Sequence, residues 1–190
     1  YNTGALVGRY TKGGLIGYTN SSSSITYSYN LGTLSDGIWQ GGLVGSSNGD
    51  ISVMHSYNKG TINNFYSGQD DYGGGIIGIC NGTANISCCT NSGNVIVTTE
   101  SSSSSVHAYS GGIIGYASNP ISIDRCYNTA VISGLGTTGT SGYTTYGYVG
   151  GLVGYLNLTT AINEIHECYN TGSVNTGTVT GYNSCGGLVG

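Results

Sequence analysis

The sequence predicts an all-β fold, a parallel β-solenoid with about one coil per repeat. Three observations carry this. The string Gly-Gly-aliphatic-aliphatic-Gly recurs from Gly13, Gly41, Gly74, Gly111, Gly150 and Gly186. A Tyr-Asn pair and a later aliphatic follow it at nearly fixed distances. Glycine and β-branched residues dominate, and no apolar stripe of 3.6-residue period is sustained, which argues against a helical solenoid.

The elements follow in order once the first glycine of each block is called position 0. Position +12 is Ile25, Val53, Ile86, Ile123 and, after three inserted residues, Ile165. Position +16 is Tyr29, Tyr57, Thr90, Tyr127 and Tyr169, and +17 is always Asn, from Asn30 to Asn170. A small residue follows two places on, and +21 is Leu34, Ile62, Val95, Ile132 or Val174. Tyr1, Asn2, Gly4 and Leu6 match the tail of a preceding block.

From the +21 aliphatic to the next Gly-Gly the spacing is 7, 7, 12, 16, 18 and 12 residues, taken from Leu6 onward. A rigid frame with one elastic segment is what stacked coils produce, with spare residues bulging at one corner. Three strands per coil are expected, near +1 to +4, +10 to +16 and +19 to +22. The +12 and +21 side chains point inward. The Asn at +17 is expected at a corner, tolerating left-handed backbone angles and bonding to its copies above and below. Positions +2 and +3 are both apolar, from Leu15/Ile16 to Leu188/Val189. Adjacent strand residues face opposite sides, so one row is expected to face outward and need cover. Residues 1–190 read as one repeat-array domain, a segment of a longer solenoid or fibre, because the sequence starts and stops inside repeats.

At this point the chain resembles a known family. "GGLVG", "GGLIG" and "GGIIG", followed by "CYNTG" or "YNKG" and an aliphatic, are similar to GLUG-motif repeats, over essentially the whole length. The resemblance implies a β-solenoid stalk or display surface in secreted and surface proteins, largely bacterial and including adhesins. It implies an extracellular or cell-surface location and carries no catalytic residue.

Composition narrows the function further. Charged residues are 6% of the chain, against about 25% in ordinary globular domains. Only four residues are Lys or Arg, too few for a nucleic-acid groove or an anionic-membrane patch. No apolar run approaches the roughly 20 residues that span a bilayer. The regular aliphatic spacing argues against disorder.

Candidate chemistry is sparse. Cys89, Cys126 and Cys168 share position +15 with Ser28 and Ser56. Stacked coils would bring their Cα atoms to about 4.8 Å, within disulfide reach. A stack of inward thiols is the equal alternative. No metal or cofactor site is expected, since C-x-x-C and clustered His are lacking. His55, assigned to the second strand, and His107 and His166 read as satisfied or solvated surface residues. No catalytic motif is present. Asp36, Asp70, Asp71 and Glu100 fall in elastic segments, a weak geometric opening for a polysaccharide-cleaving site, which needs two carboxylates at a set separation. The chain is therefore read as a non-enzyme. Sequons occur at Asn20, Asn81, Asn85 and Asn157. The first, second and fourth share +7, where Asn also suits the turn. Used as acceptors, they would place glycans in a row.

The leading expectation is a structural, self-associating segment of a surface fibre, stalk or adhesin. The alternative is a module that binds a glycan or a host protein through aromatic elastic segments. Phe65, Tyr66, Tyr72, Tyr109, Tyr143, Tyr146, Tyr148 and Tyr182 are its candidate residues, expected to share one corner. They would either cover the outward aliphatic row or stay open to ligand. Ser101, in the serine run, is expected to tolerate substitution as part of the bulge.

Overall fold

A computed structural model describes residues 1–101, 104–138, 143–157, 163–177 and 182–190, with Thr138 described by its backbone alone. Within them the chain is a parallel β-solenoid of short strands in five ladders, containing six, five, six, five and five strands. Strand pairing between coils is parallel and in register throughout: Leu34 lies on Ile62, Ile62 on Val95, Val95 on Ile132 and Ile132 on Val174.

Each coil carries five strands where three were expected. In the coil that starts at Gly41 these are Val44–Ser47, Ile51–Met54, Tyr57–Asn58, Ile62–Ser67 and Asp71–Gly74. The second expected strand is cut at +14, where Tyr27, His55, Cys88, Arg125 and Glu167 all adopt positive φ near 50°. His55 therefore sits in a left-handed turn and not in a strand. The recurrent left-handed position is therefore +14 and not the Asn of +17; Asp36, in one elastic segment, is the other non-glycine residue with positive φ among the described residues.

In the four interior coils the expected outward row of aliphatics does not exist; only the end copies, Leu15/Ile16 and Leu188/Val189, are half-buried or exposed. Leu43 and Val44, Ile76 and Ile77, Ile113 and Ile114, and Leu152 and Val153 are all fully buried. The reason is a bend at +1 and +2. The N–H groups of Leu43 and Val44 both donate to the carbonyl of Ile76, at 3.0 and 2.9 Å, and the same convergence recurs on Ile113 and Leu152. Two consecutive N–H groups aimed at one carbonyl turn the +2 residue off the strand, and both side chains enter the core. Glycine at +1 permits the bend: a Cβ on Gly75 would stand 2.0 Å from the Gly112 carbonyl oxygen and 2.4 Å from Asn91 Cγ.

The +12 and +21 residues point inward as expected, Val53, Ile123, Ile62 and Val95 being fully buried. The invariant Asn residues stack inside the coil. Asn30, Asn58, Asn91 and Asn128 each donate one Nδ2–H to the Oδ1 of the Asn in the next coil, at 2.8–2.9 Å. The other Nδ2–H goes to the carbonyl two residues on, and Oδ1 accepts that residue's N–H. All four hydrogen-bonding positions of each buried amide are used.

The elastic segments do bulge at one corner, but as a structured flange. Ile62–Ser67, Val95–Ser101 and Ile132–Thr138 form one wall, Asp71–Gly74, Val106–Gly111 and Thr145–Gly150 the other. Near the frame the walls enclose a small apolar core of Ile62, Val95, Val97, Ala108, Ile132 and Val149. Farther out most buried side chains are polar, namely Asn64, Asp71, Thr99, Ser101 and Thr145, with Val106 beside Thr145 the apolar exception. Ser101 is buried and donates to the Ser104 carbonyl at 2.9 Å, so it is a packed residue and not a tolerant bulge position.

Candidate binding groove

Two outward aromatic rows meet at an angle in the coil. The first lies two residues before each Gly-Gly and runs Trp39, Tyr72, Tyr109, Tyr148. The second lies at +5 and runs Tyr18, Ser46, Ile79, Tyr116, Tyr155. The strands that carry them pack closely because +4 is glycine. A Cβ on Gly78 would stand 2.7 Å from the Gln40 carbonyl oxygen. That corner leaves the rows facing each other.

Within the first row Tyr72, Tyr109 and Tyr148 stack at 4.8 and 5.2 Å between ring centroids. Across the angle Tyr72 and Tyr109 meet Tyr116 edge-on at 5.5 and 5.4 Å, and Tyr148 meets Tyr155 at 4.8 Å. In the later coils the aromatic rings thus fill the corner. In the earlier ones Ser46 and Ile79 stand where tyrosine stands elsewhere, and a cavity of about 370 Å³ opens between Tyr18 and Tyr116, with Trp39 and Tyr72 opposite. That volume lies in the range of small-molecule sites. Trp39 and Tyr18 are 37% and 47% exposed.

The rim is amide. Asn48 donates to Asn20 Oδ1 at 3.2 Å and to the Tyr18 hydroxyl at 2.9 Å, and Asn81 donates to Asn48 Oδ1 at 3.0 Å. Asn157 donates to the Tyr116 hydroxyl at 2.8 Å. The sequon residues Asn20, Asn81 and Asn157 are therefore exposed in one row, as expected for +7, and that row borders the groove. Asn85 is exposed on the neighbouring face, at +11. Thr159, which completes the Asn157 sequon, lies outside the described residues.

The eight aromatics expected to share one surface divide. Tyr72, Tyr109 and Tyr148 form the stacked row, and Tyr146 joins it through His107, whose ring lies 4.9 Å from Tyr146 and 5.6 Å from Tyr109. Phe65 and Tyr66 stand on the other flange wall and line a separate cavity with Arg9, Asp36 and Ser67. Tyr143 and Tyr182 are exposed, at 45% and 85%. None is needed as cover, because the aliphatics are already inside. Burial pushes the hydroxyls of Tyr72, Tyr109 and Tyr148 above the ordinary tyrosine value, with Asp70 adding to the effect. Trp39 and the +5 tyrosines were not foreseen. Counting backward from each Gly-Gly would have found Trp39, since the −2 spacing is constant while the forward spacing from +21 is not.

Asp70 faces outward and binds the His107 ring and its backbone N–H, both at 2.8 Å. Asp71, next in sequence on the strand, faces inward and is fully buried. Its Oδ2 accepts the Tyr66 N–H at 3.1 Å, and burial pushes its carboxyl up to about 8. Strand alternation thus separates the two carboxylates. On another face Asp124, His166 and Glu167 bring ligand atoms within 4.8 Å of one another and could hold a cation. The Arg125 guanidinium already binds Asp124 there at 2.7 Å.

The six cysteines are unpaired in the structure. In the +15 stack the Cys89 N–H donates to Cys126 Sγ at 3.3 Å and the Cys126 N–H to Cys168 Sγ at 3.2 Å, just as Ser28 N–H donates to Ser56 Oγ at 3.1 Å. A small side chain that accepts from one coil and donates to a carbonyl of its own strand serves the position, whether its atom is sulfur or oxygen. Comparison with protein-family models, with curated proteins and with solved structures finds no match for this chain.

Proposed function

We propose that the chain is a non-catalytic structural segment of an exported surface fibre, stalk or adhesin. One observation carries the reading: every coil seats on the next in one register, with a continuous internal ladder of Asn amides beneath continuous backbone ladders. Such a column is stiff along its axis, because each coil contacts only its neighbours and all of them in the same way. Any chain bearing the same block can extend it by the same hydrogen bonds, which supports self-association. The likeness to GLUG-type repeats and the scarcity of charge point the same way. Electron microscopy and small-angle scattering over a concentration series test this. Rods that lengthen or bundle with concentration are expected. Single-chain particles at every concentration would refute the self-association.

A second reading, a glycan- or protein-binding module, is favoured by the partly exposed aromatic rows beside the Asn rim.

A further inference from the structure

We propose that the cavity between Trp39/Tyr72 and Tyr18/Tyr116 is a binding site for an extended neutral polysaccharide, an equatorially linked pyranose chain lying along the solenoid axis. The proposal rests on the second reading and is independent of the scaffold role. Four features select this ligand. First, the site is an interruption in an otherwise aromatic row. Ser46 and Ile79 replace tyrosine in two successive coils, so Tyr18 and Tyr116 close the ends of a gap. At about 4.8 Å per coil those two tyrosines are roughly 14 Å apart, which accommodates two pyranose rings in line.

Second, the walls are aromatic on both sides. The C–H faces of equatorially substituted pyranoses pack on such rings, and a Trp or Tyr supplies that area at small entropic cost. Third, the polar groups are neutral and sit at the rim, where sugar hydroxyls would project. Asn81 has one Nδ2–H left after bonding Asn48, and the Tyr116 hydroxyl accepts from Asn157 with its own proton left to donate. No charged side chain lines the cavity, so nothing there offsets the desolvation of a uronate or sulfated chain. Fourth, the groove runs along the stack. Its lining residues keep one register from coil to coil, so the site suits a chain extended along the stacking direction better than one that coils as an axially linked glucan does.

The sequons sharpen the inference. Asn81 is at once a rim donor and a potential acceptor for covalent glycan. A glycan on Asn81 would occupy the groove mouth, so modification and binding exclude each other.

Trp39 is the chain's one tryptophan, so its emission reports the site directly. The unglycosylated chain is titrated with cellohexaose and chitohexaose, with maltohexaose and a hexameric polygalacturonate as comparisons, following Trp39 emission and, independently, binding heat. A saturable change with cellohexaose or chitohexaose, at least tenfold weaker for both comparisons, is expected. Ile79→Tyr and Ser46→Tyr each restore the residue that fills the row elsewhere. Both positions are nearly buried at the cavity floor, so the filled variants should abolish binding while circular dichroism stays that of the parent and unfolding stays cooperative. No saturable signal from either equatorially linked hexamer would overturn the proposal. So would equal binding of maltohexaose or the polyuronate, or undiminished binding by both filled variants. Filament formation in the same samples is scored separately, so loss of one property does not disguise loss of the other.

Discussion

Replacing Asn91 by Ala tests the internal amide ladder. Asn91 is fully buried and makes four side-chain hydrogen bonds: to the Gly93 carbonyl at 2.9 Å, to Asn128 Oδ1 at 2.8 Å, from the Gly93 N–H at 3.3 Å and from Asn58 Nδ2 at 2.9 Å. Alanine removes all four. Asn128 Oδ1 still accepts the Ala130 N–H at 3.3 Å, but an Asn58 N–H, the Gly93 N–H and the Gly93 carbonyl lose these partners inside the coil. At about 1–3 kcal/mol for each unsatisfied buried group, the sum is roughly 3–9 kcal/mol. A small shift of the bend recovers part of it, so the lower half of that range is expected. The matched control is Asn85→Ala, an exposed Asn in an adjacent ladder, where a change within about 0.5 kcal/mol is expected. Urea unfolding followed by circular dichroism and by Trp39 emission gives both numbers. Because coils couple through nearest neighbours, the Asn91 variant should also separate the two probes' transitions, Trp39 lying on one side of the break. A loss under 1 kcal/mol, with coincident transitions, would show that the ladder follows from the backbone stack and does not stabilise it.

Three further outcomes follow from the same structure. Val53→Asp and Ile123→Asp each place a charge at a fully buried rung and should cost several kcal/mol, read as a lowered urea midpoint. Asp71, protonated in the fold with its carboxyl raised to about 8 by burial, binds its proton more tightly folded than unfolded. Stability should therefore be greatest below pH 4 as far as this group is concerned and fall as pH rises toward 8. Asp71→Asn should flatten that slope in a urea series from pH 4 to 9 and raise the midpoint at pH 8. Cys126→Ser should shift stability by less than about 1 kcal/mol, since Ser28 and Ser56 serve the same column, and thiol titration should find the exposed Cys185 reactive before the buried Cys80, Cys89 and Cys126.

The repeat made the stack legible, because a fixed frame interrupted by one variable segment has few physical explanations. It also made the inward +12 and +21 residues legible, and the amide ladder at +17. What misled was strand alternation at +2 and +3. Alternation holds only inside a strand, and here two N–H groups converging on one carbonyl place a bend between Gly75 and Ile77 and its equivalents. The flange was hidden for a different reason. Its outer interior is built largely from Asn64, Asp71, Thr99 and Ser101, residue types that read as solvent-facing. They are inward because β pairing continues past the apolar part of each segment, and strand geometry then turns every second side chain inside whatever its polarity.

The groove was partly visible and wrongly assembled. Tyr72, Tyr109 and Tyr148 were in the candidate set, but their facing row at +5 was not, because Ser46 and Ile79 break its aromatic pattern. The break is where the chemistry lies. Inside a solenoid a column tolerates little variation, since each residue must fit its copies above and below; the Asn column at +17 has no exception in the chain. The +5 column, which borders the cavity and not the core, is less constrained. A coil can carry Tyr, Ser or Ile at +5 without changing the register of its neighbours, as the uninterrupted pairing of Val44, Ile77 and Ile114 beside them demonstrates. A solenoid can therefore gain a cavity by shortening two outward side chains at no cost to its frame, and lose it by lengthening one. For the same reason Ile79→Tyr, at a position that is nearly buried but borders the cavity, is expected to remove binding with the fold retained, where a comparable change at Ile77, across the Gly78 corner and inside the main core, would overpack that core and lower the stability of the coils around it.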